Sequence, residues 1–413
     1  MAWQPQPRPT WVDAVNALGA NLGCAGGSLV SLREEDLLAA ARANTGLDDF
    51  GDAWFRQGLG TLLRALEEEA RLTLVGRVLA RAEIQRLLQN RLAVEAVLRA
   101  EPAIERAPVT APIVITGLGR TGTTLLHDLL GQDPANRVPR QWELMYSVPP
   151  PDPTTSAADP RIERVRREIT VMDEADPAFP HMHELAADLP TECIYVFAHE
   201  FASDMFVGEF NVPSYAVWQA TIDLLPAYRY HRRFLQLLQW RHPGRWVLKA
   251  PSHLGRLREL FTVYPDARVV ITHRDPLRVI GSLASLMATL QRMRSDHVDY
   301  DRMVQGMAFG FHYLVEKVMK QRAEGKLPAA QIADVRYADL VRDPVATVRT
   351  LYERWNIPFT ETVADRIRRR LADQRHGQGS RHHYSFDQTG LDRTEQRQRF
   401  ANYMAQYELP LEA

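Results

Sequence analysis

The stretch Ile113-Val-Ile-Thr-Gly-Leu-Gly-Arg-Thr-Gly-Thr-Thr124 decides how this chain of 413 residues folds. Its first four residues form a short β-branched run, three glycines follow within six positions, and a helix-forming run from Leu125 to Gly131 comes next. A strand, a glycine-rich loop and a helix in this order bring backbone N–H groups and the positive end of a helix dipole to one point. The segment therefore predicts a phosphate-binding loop.

Three more short apolar runs, each followed by a helix-forming stretch, lie further along the chain. They are Trp246–Lys249, Ala267–Thr272 and Ile332–Arg336. Strands that alternate with helices indicate a parallel sheet covered by helices, and ligands bind at the carboxyl ends of such strands. We therefore expect an α/β fold with a P-loop-like central parallel sheet flanked by helices, an all-helical N-terminal extension and helical insertions.

The chain is expected to divide near the first strand. Residues 1–108 are predicted as a helical extension and a candidate lid over an acceptor pocket, and residues 109–413 as the main domain, with a helical insertion at about 155–243. In the extension, Ser31 and Glu34 have the spacing of a capping box that opens a helix ending near Gly46. The uncharged residues from Ala14 to Leu32 are mostly small, so we expect a loop there and not a membrane span.

Composition and charge exclude several classes of protein. Lys and Arg number 50 against 51 for Asp and Glu, which gives a formal net charge of −1, and 45% of the residues are hydrophobic. These values are typical of a globular protein and exclude a disordered chain and a strongly basic nucleic-acid binder.

Cys24 and Cys193 offer no disulfide framework, and the first residues lack a signal-peptide pattern. We expect a cytoplasmic protein with no stable membrane insertion and no nucleic-acid partner. No pattern indicates its oligomeric state.

The glycine-rich loop differs from that of nucleoside triphosphatases at one position. Gly117 and Gly122 have the right spacing, but Thr123 stands where those enzymes carry the lysine that contacts the β- and γ-phosphates. The cation is Arg120, inside the loop, whose planar fork can hold a phosphate or a sulfonate with two hydrogen bonds. The loop thus favours a phosphate-bearing nucleotide without an obligatory magnesium-bound γ-phosphate.

The loop resembles the 5′-phosphosulfate loop of sulfotransferases, which use 3′-phosphoadenosine-5′-phosphosulfate (PAPS) as sulfuryl donor. The resemblance implies donor contacts from Gly119, Arg120, Thr121, Gly122, Thr123 and Thr124. The segment His273–Ser282 resembles the family's 3′-phosphate-binding segment, which implies that Arg274 and Ser282 hold that phosphate, and Tyr337–Pro344 resembles a third family motif. The three motifs cover roughly residues 112–355 and imply sulfuryl transfer to a hydroxyl, release of 3′-phosphoadenosine-5′-phosphate (PAP) and no metal.

Two positions depart from the cytosolic aryl and steroid members of that family. Those enzymes commonly carry lysine where Arg120 stands and tryptophan where Leu125 stands. Arginine keeps the charge but is a poorer proton donor, because it stays protonated. In these features the chain is more similar to the bacterial and broader carbohydrate-, lipid- and polyketide-type sulfotransferases.

Two residues are candidates for the base that removes the proton of the acceptor hydroxyl. His253 lies four residues after Lys249, where cytosolic family members carry a Lys-Thr-His-Leu segment that supplies the base. Glu143 follows the first helix after the loop, and some members of the wider family use a glutamate soon after that loop. We rank His253 ahead of Glu143.

Other polar residues carry weaker signals. By analogy with a basic loop that closes over the nucleotide in this family, Arg381 and His382 are candidates for contacts to the 3′-phosphate. His181 and His183 are two positions apart, but no third ligand stands at a usual spacing, so we interpret them as the polar lip of an acceptor pocket or a loop and predict no metal site. Glu192 and Cys193 fall in the same segment, which we interpret as a candidate to face the pocket.

The residues alone leave three functions open. The first is PAPS-dependent sulfuryl transfer; the second is a P-loop kinase or nucleotide hydrolase; the third is a catalytically inactive nucleotide-binding protein. Aromatic residues between Phe197 and Trp218 and the helical extension favour an apolar pocket. We therefore expect a hydrophobic small-molecule or lipid hydroxyl as acceptor rather than a polymeric sugar.

Overall fold

The computed structural model describes residues 3–4, 7–22, 29–376 and 384–412. At its centre lies a parallel sheet of five strands in the spatial order β2-β3-β1-β4-β5. The strands are β1 (Ile113–Gly117), β2 (Asn136–Arg137), β3 (Arg245–Lys249), β4 (Arg268–His273) and β5 (Ile332–Arg336). β1 is the middle strand, and its Ile113 pairs with Val247 on one side and Arg268 on the other.

The helices fall into four groups along the chain. The extension contains α1 (Thr10–Asn21), α2 (Glu34–Thr45), α3 (Phe55–Glu68) and α4 (Leu74–Ala100), and α5 (Thr123–Leu130) follows the glycine-rich loop. Between β2 and β3 lie α6 (Gln141–Met145), α7 (Pro160–Ala175), α8 (Phe179–Met182), α9 (Ile194–Ala198), α10 (Asp204–Glu209), α11 (Pro213–Thr221) and α12 (Leu225–Gln239). Next come α13 (Leu257–Val263), α14 (Pro276–Arg294) and α15 (Tyr300–Ala323). The last group is α16 (Tyr337–Arg342), α17 (Pro344–Arg354), α18 (Glu361–His376), α19 (Arg393–Arg399) and α20 (Ala401–Gln406).

The four strands predicted from the sequence are all present, with bounds that differ by at most one residue. The α/β fold with a parallel sheet and flanking helices is thus confirmed. β2 was not predicted, because its two residues, Asn136 and Arg137, are too few to show a pattern.

The sheet is buried on both faces. Along β1, Val114 belongs to a core that includes Phe234 of α12 and Ile280 of α14, whereas Ile113 belongs to a second core with Leu126 of α5 and other residues of the last helices. Neighbouring residues of a strand point to opposite faces, which is why a run of β-branched residues suits a strand covered on both sides. The sheet therefore holds the loops at its carboxyl ends on a rigid base.

The expectation of a loop from Ala14 to Leu32 was wrong for its first part, since α1 covers Thr10–Asn21. Small and polar residues let this helix approach α4 closely. The Oδ1 atom of Asn16 accepts a hydrogen bond from the Val75 N–H at 3.1 Å, and a Cβ on Gly19 would lie 2.6 Å from Leu74 Cβ. Helix formation here depends on packing, which a local reading of small residues does not detect.

The capping box at Ser31 was also wrong. α2 begins at Glu34 with Arg33 as its N-cap, without a side-chain capping bond, and the Ser31 hydroxyl donates to Asp36 instead at 2.5 Å. The predicted end of the helix was right, because Gly46 caps it in the left-handed conformation with φ +68°.

A buried arginine joins the extension to the helices between β2 and β3. Arg91 of α4 is fully buried and donates to the Glu200 carboxylate at 2.6 Å and to the carbonyls of Phe50, Asp52 and His199. α3 and α4 share one apolar core with α9, α10 and α11. The extension therefore packs directly on these helices; its division from the rest at 108/109 and its role as a lid remain predictions.

No helix within the described ranges is both long enough and apolar enough to cross a lipid bilayer.

Candidate active site

The loop between β1 and α5 depends on two glycines. Gly117 has φ +145°, and a Cβ at this position would lie 2.5 Å from the Thr272 carbonyl oxygen of β4. Gly122 has φ +89°, and its Cβ would lie 2.9 Å from the Tyr337 ring. L-residues with a Cβ disfavour such backbone angles, and real Cβ contacts are not this short. The two glycines thus allow the loop to turn tightly between β4 and α16.

The threonines of the loop have different surroundings. Thr121 is buried; its hydroxyl donates to the Leu118 carbonyl at 2.6 Å and lies 2.6 Å from Thr272 Oγ1, so it fastens the loop to β4. Thr123, the first residue of α5, is buried, whereas Thr124 is exposed. Of these three side chains, Thr124 is therefore the one displayed at the surface, beside the N-terminus of a helix whose dipole favours anions.

Arg120 sits in the loop in a left-handed conformation, φ +66°, which is uncommon for a residue with a Cβ. Its Nε donates to Ser282 Oγ of α14 at 3.0 Å. Burial lowers the pKa of the Arg120 guanidinium, and the nearby Arg274 acts in the same direction. A second cation beside a half-buried first one is costly unless an anion joins them, so this pair indicates an anion site.

Arg274, at the end of β4, meets the same loop from the other side. Its Nη1 donates to the Arg120 carbonyl at 3.0 Å, and its guanidinium stacks on the Tyr337 ring with the carbon 3.9 Å from the ring centroid. Its Nε and Nη2 donate to the Glu412 carboxylate at 2.9 and 2.7 Å. Burial alone would lower the pKa of Arg274, but the hydrogen bonds to Glu412 raise it. The guanidinium is thus already paired with a carboxylate.

The next residue fixes the position of Arg274. Asp275 is buried and caps α14 by accepting from the Leu277 N–H at 3.0 Å, and Pro276 is the first residue of the helix. Arg397 of α19 donates to both oxygens of Asp275 at 2.7 and 2.8 Å, and the Glu412 N–H donates to one of them at 2.8 Å. The segment around Glu412 is therefore held beside the start of α14.

A second charged group lies at the end of β3. Lys249 is 2% exposed, and its Nζ donates to Glu192 Oε1 at 2.5 Å and to Thr124 Oγ1 at 3.4 Å. Burial lowers the pKa of the half-buried His183 to about 4; Glu192 raises it, and Lys249 and Arg120 lower it further. Through its contacts with Glu192 and Thr124, Lys249 places this charged group next to the glycine-rich loop.

His253 lies in a short 3-10 helix (Pro251–Arg256) just after β3, and it is 1% exposed. Its Nδ1 is 2.7 Å from the Tyr228 hydroxyl, its Nε2 is buried with no partner, and Phe197 and His231 pack around its ring. Burial lowers the pKa of His253 to about 3. The imidazole is thus neutral near pH 7, and its assignment as the base remains a prediction.

Glu143 has both of its oxygens engaged. It is 3% exposed in α6, where Oε1 accepts from Arg137 Nη2 at 2.9 Å and Oε2 accepts from the Arg140 N–H at 3.0 Å, which completes a capping box. These two contacts give Glu143 a structural role that is independent of catalysis. Its assignment as the second candidate base also remains a prediction.

The other predicted donor contacts are placed as follows. Gly119 is buried, and a Cβ added at Gly119 would lie 3.5 Å from Leu283 Cδ2 of α14. Arg381 and His382 lie outside the described residues. Close to where the chain is described again, Arg278, Arg393 and Glu412 line a cavity of about 60 Å³. Among the described residues, no group of three or more His, Cys, Asp or Glu side chains is placed to hold a metal ion.

Sequence reasoning brought Arg120, Arg274 and Ser282 to one site, and the structure places them together through the contacts of Arg120. It placed Glu192 in a segment that is a candidate to face the pocket but gave it no catalytic role. That carboxylate is 57 positions from Lys249, and the one available signal was its place in the polar segment that also holds His183.

Comparisons with known proteins agree with this geometry. The model of the sulfotransferase family matches residues 112–361. The omega-hydroxy-beta-dihydromenaquinone-9 sulfotransferase Stf3 of Mycobacterium bovis is 26% identical over 272 residues, which are 63% of this chain and 67% of that protein. The solved sulfotransferase STF1 from Mycobacterium tuberculosis shares 32% identity with a TM-score of 0.79, over 90% of this chain and 98% of that one. The solved sulfotransferase STF9 from Mycobacterium avium shares 29% identity with a TM-score of 0.83, over 92% of this chain and 98% of that one.

Proposed function

The chain belongs to the sulfotransferase family, and we propose that its donor is PAPS and its acceptor a hydroxyl on a hydrophobic molecule. One observation carries the proposal for the donor: Arg120 contacts Ser282 through its side chain and Arg274 through its carbonyl. Residues from two motifs more than 150 positions apart thus form one cationic cluster at the carboxyl end of the central strand. PAPS has two anionic ends, and the cluster offers a group for each.

The phosphosulfate end fits the loop and the start of α5. The helix N-terminus supplies unpaired N–H groups and a positive dipole, Arg120 supplies a fixed cation, and the exposed Thr124 supplies a hydroxyl. The Thr121 side chain is occupied within the loop, so its part in donor binding comes from its backbone N–H. These groups would stabilise the charge that develops on the 5′-phosphate as it departs.

The 3′-phosphate end fits Arg274 and the cavity beside it. Arg274 already holds a carboxylate with two nitrogens, the geometry that guanidinium also uses for phosphate. Arg278 comes within 4.0 Å of the same carboxylate. A phosphate that replaced Glu412 would thus find two cations, with Ser282 near the loop as a hydroxyl donor.

An apolar cluster beside the loop supports a hydrophobic acceptor. Phe179 and Met182 of α8 are buried against Leu286 and Met293 of α14, and partly buried apolar side chains including Leu283 form the edge of this cluster, which we call the apolar surface. Leu283 reaches the loop at Gly119, so the surface leads towards the donor. The Mycobacterium bovis relative is named as an omega-hydroxy-beta-dihydromenaquinone-9 sulfotransferase. We therefore favour a lipid or other apolar alcohol.

Calorimetric titration with PAP in the absence of magnesium tests the donor site. We expect PAP to bind tightly, while ATP and ADP, which lack a 3′-phosphate, bind at least about tenfold more weakly, because one charged hydrogen-bonded pair is worth about 1.5–3 kcal/mol. Binding of ATP that needs magnesium, together with no binding of PAP, would contradict the proposal and favour a kinase or nucleotide hydrolase.

A further inference from the structure

Lys249 and Glu192 form an ion pair to which the proposed donor contacts assign no role; the Lys249 side chain is buried and the Glu192 side chain is 17% exposed. Lys249 is 2% exposed, and its side chain ends at the carboxyl edge of the sheet. Burying an ammonium and a carboxylate costs more solvation than their attraction returns unless the geometry is excellent, so a buried pair is weak evidence for stability. Its position next to the glycine-rich loop instead points to chemistry.

Backbone hydrogen bonds hold the residues on both sides of Glu192. The Thr191 N–H donates to the Pro139 carbonyl at 2.9 Å, and the Cys193 N–H donates to the Lys249 carbonyl at 2.8 Å. Cys193 itself is 1% exposed and packs in the main core. The backbone of Glu192 is therefore fixed at both neighbouring residues. A catalytic group that must meet a reacting hydroxyl needs such a fixed position.

The same pair connects the donor side of the site to the acceptor side. Lys249 Nζ reaches Thr124 Oγ1 at 3.4 Å, at the start of α5. On the other side, Glu192 belongs to the segment between α8 and α9, and Phe179 and Met182 of α8 are buried in the apolar cluster beside the loop. Glu192 thus lies next to the place of the sulfuryl group, on a segment that leads to the proposed acceptor side.

We propose that Glu192 is the general base that accepts the proton of the acceptor hydroxyl, and that Lys249 moves its charge from Glu192 to the transferring group. This inference rests on the proposed function. In the step, the acceptor O–H bond breaks and its proton goes to Glu192, while the acceptor oxygen forms a bond to sulfur. The bond from sulfur to the bridging oxygen breaks, and its electron pair stays on the 5′-phosphate of PAP. Glu192 then returns its proton to solvent.

Lys249 explains how one carboxylate serves both the resting and the reacting enzyme. In the absence of donor, the ammonium neutralises Glu192 at 2.5 Å. A bound phosphosulfate brings negative charge next to Thr124 and attracts the same ammonium, which has three donors to share. Glu192 is then free to accept the hydroxyl proton.

The variant Glu192→Gln tests the proposal, because it keeps the size and removes the basic group. We expect kcat to fall by about 10²- to 10⁴-fold, PAP affinity to stay within about threefold of the original, and the acidic limb of the pH profile of kcat/KM to disappear. Glu192→Asp should retain more activity than Glu192→Gln, since the carboxylate remains. Glu259→Gln is the matched control: Glu259 is a partly buried carboxylate paired with Arg256 at 3.5 Å, and its loss should leave kcat within about twofold.

Other outcomes separate this inference from the proposed function. If the original enzyme transfers sulfate and Glu192→Gln does so at a similar rate, Glu192 is not the base, and a loss of activity in His253→Gln or Glu143→Gln would identify the alternative. If Glu192→Gln loses PAP binding as well, its role is structural and the inference fails. If the original enzyme neither binds PAP nor transfers sulfate, the proposed function itself fails.

Discussion

Arg274 and Glu412 form a two-pronged ion pair at the edge of the candidate donor site. The Nε and Nη2 atoms of Arg274 lie 2.9 and 2.7 Å from the carboxylate oxygens of Glu412, and the Glu412 N–H is bound to Asp275. Glu412 thus occupies the guanidinium that we propose as the partner of the donor's 3′-phosphate. Under this proposal, nucleotide binding displaces the carboxylate, and Glu412 competes with the nucleotide for Arg274.

The first prediction concerns Glu412→Gln. A competitor that closes the site for about 70–90% of the time reduces the apparent affinity for PAP by about 3- to 10-fold. Removing the negative charge should therefore tighten PAP binding by about that factor in calorimetry. Glu408→Gln is the control, because Glu408 pairs with Arg336 at 3.1 Å and its side chain is 83% exposed. Unchanged or weaker PAP binding in Glu412→Gln would show that the pair does not compete.

The second prediction concerns Arg274 itself. Replacing Arg274 by alanine removes a charged, two-pronged partner of the 3′-phosphate, which is worth about 1.5–3 kcal/mol, or about 10- to 100-fold in PAP affinity. Arg274→Lys should recover only part of this loss, since an ammonium lacks the planar fork. Arg342→Ala, at a side chain that is 76% exposed, serves as control. Equal PAP affinity in Arg274→Ala and the unmodified protein would remove this residue from the donor site.

The third prediction concerns the shape of the loop. Gly117→Ala would set a Cβ 2.5 Å from the Thr272 carbonyl at φ +145°, so we expect a loss of about 1–3 kcal/mol in the free energy of unfolding and a marked loss of PAP affinity. Gly310→Ala in α15 has open space around its Cβ and should stabilise by about 0.5–1 kcal/mol. Chemical denaturation and PAP titration measure both variants; native-like PAP affinity in Gly117→Ala would contradict the account of the loop.

The fourth prediction concerns Arg91, which joins the extension to the rest of the protein. Arg91→Met keeps an extended side chain but leaves the buried Glu200 without its cation, and such a change costs about 3–5 kcal/mol. Burial raises the pKa of Glu200 to about 7 even though Arg91 opposes the shift. At pH 5 Glu200 is protonated in both proteins, whereas above pH 7 only the original protein gains from an ionised Glu200 paired with Arg91.

The cost of Arg91→Met should therefore increase as the pH rises through 7, which denaturation at pH 5 and pH 8 would measure. Arg99→Met is the control, because the Arg99 side chain is half exposed on the same helix and pairs with an exposed Asp49. A destabilisation that is the same at both pH values would mean that Glu200 does not titrate in this range.

Much of the fold follows from local sequence. The β-branched runs of β1, β4 and β5 and the residues that cap α14 act within a few positions, so the sheet and the loop after β1 could be predicted. α1 could not, because its formation depends on Asn16 and Gly19 packing against α4, which is distant in sequence.

For the same reason, the grouping of the proposed donor residues could be predicted from the sequence, whereas the pairing on the proposed acceptor side could not. Arg120, Arg274 and Ser282 stand in recognisable motifs, whereas Glu192 gains its meaning only from Lys249, which a long helical insertion separates from it. The sequence also favours His253, which has the residue type and the position of a base. In the structure, burial among aromatic rings lowers the pKa of His253 to about 3. Surroundings of this kind are set by tertiary packing.

The most direct test of the account is a transfer assay with PAPS and a panel of long-chain alcohols, aromatic alcohols and sugars, without added metal. We predict that an apolar alcohol is converted to its sulfate ester, with one PAP released for each ester detected by mass spectrometry, and that Glu192→Gln lowers the rate at which both products form by about 10²- to 10⁴-fold. A preference for sugars would contradict the assignment of the acceptor. Absence of any ester from the whole panel, in a protein that binds PAP, would contradict the central claim and leave a nucleotide-binding protein without transferase activity.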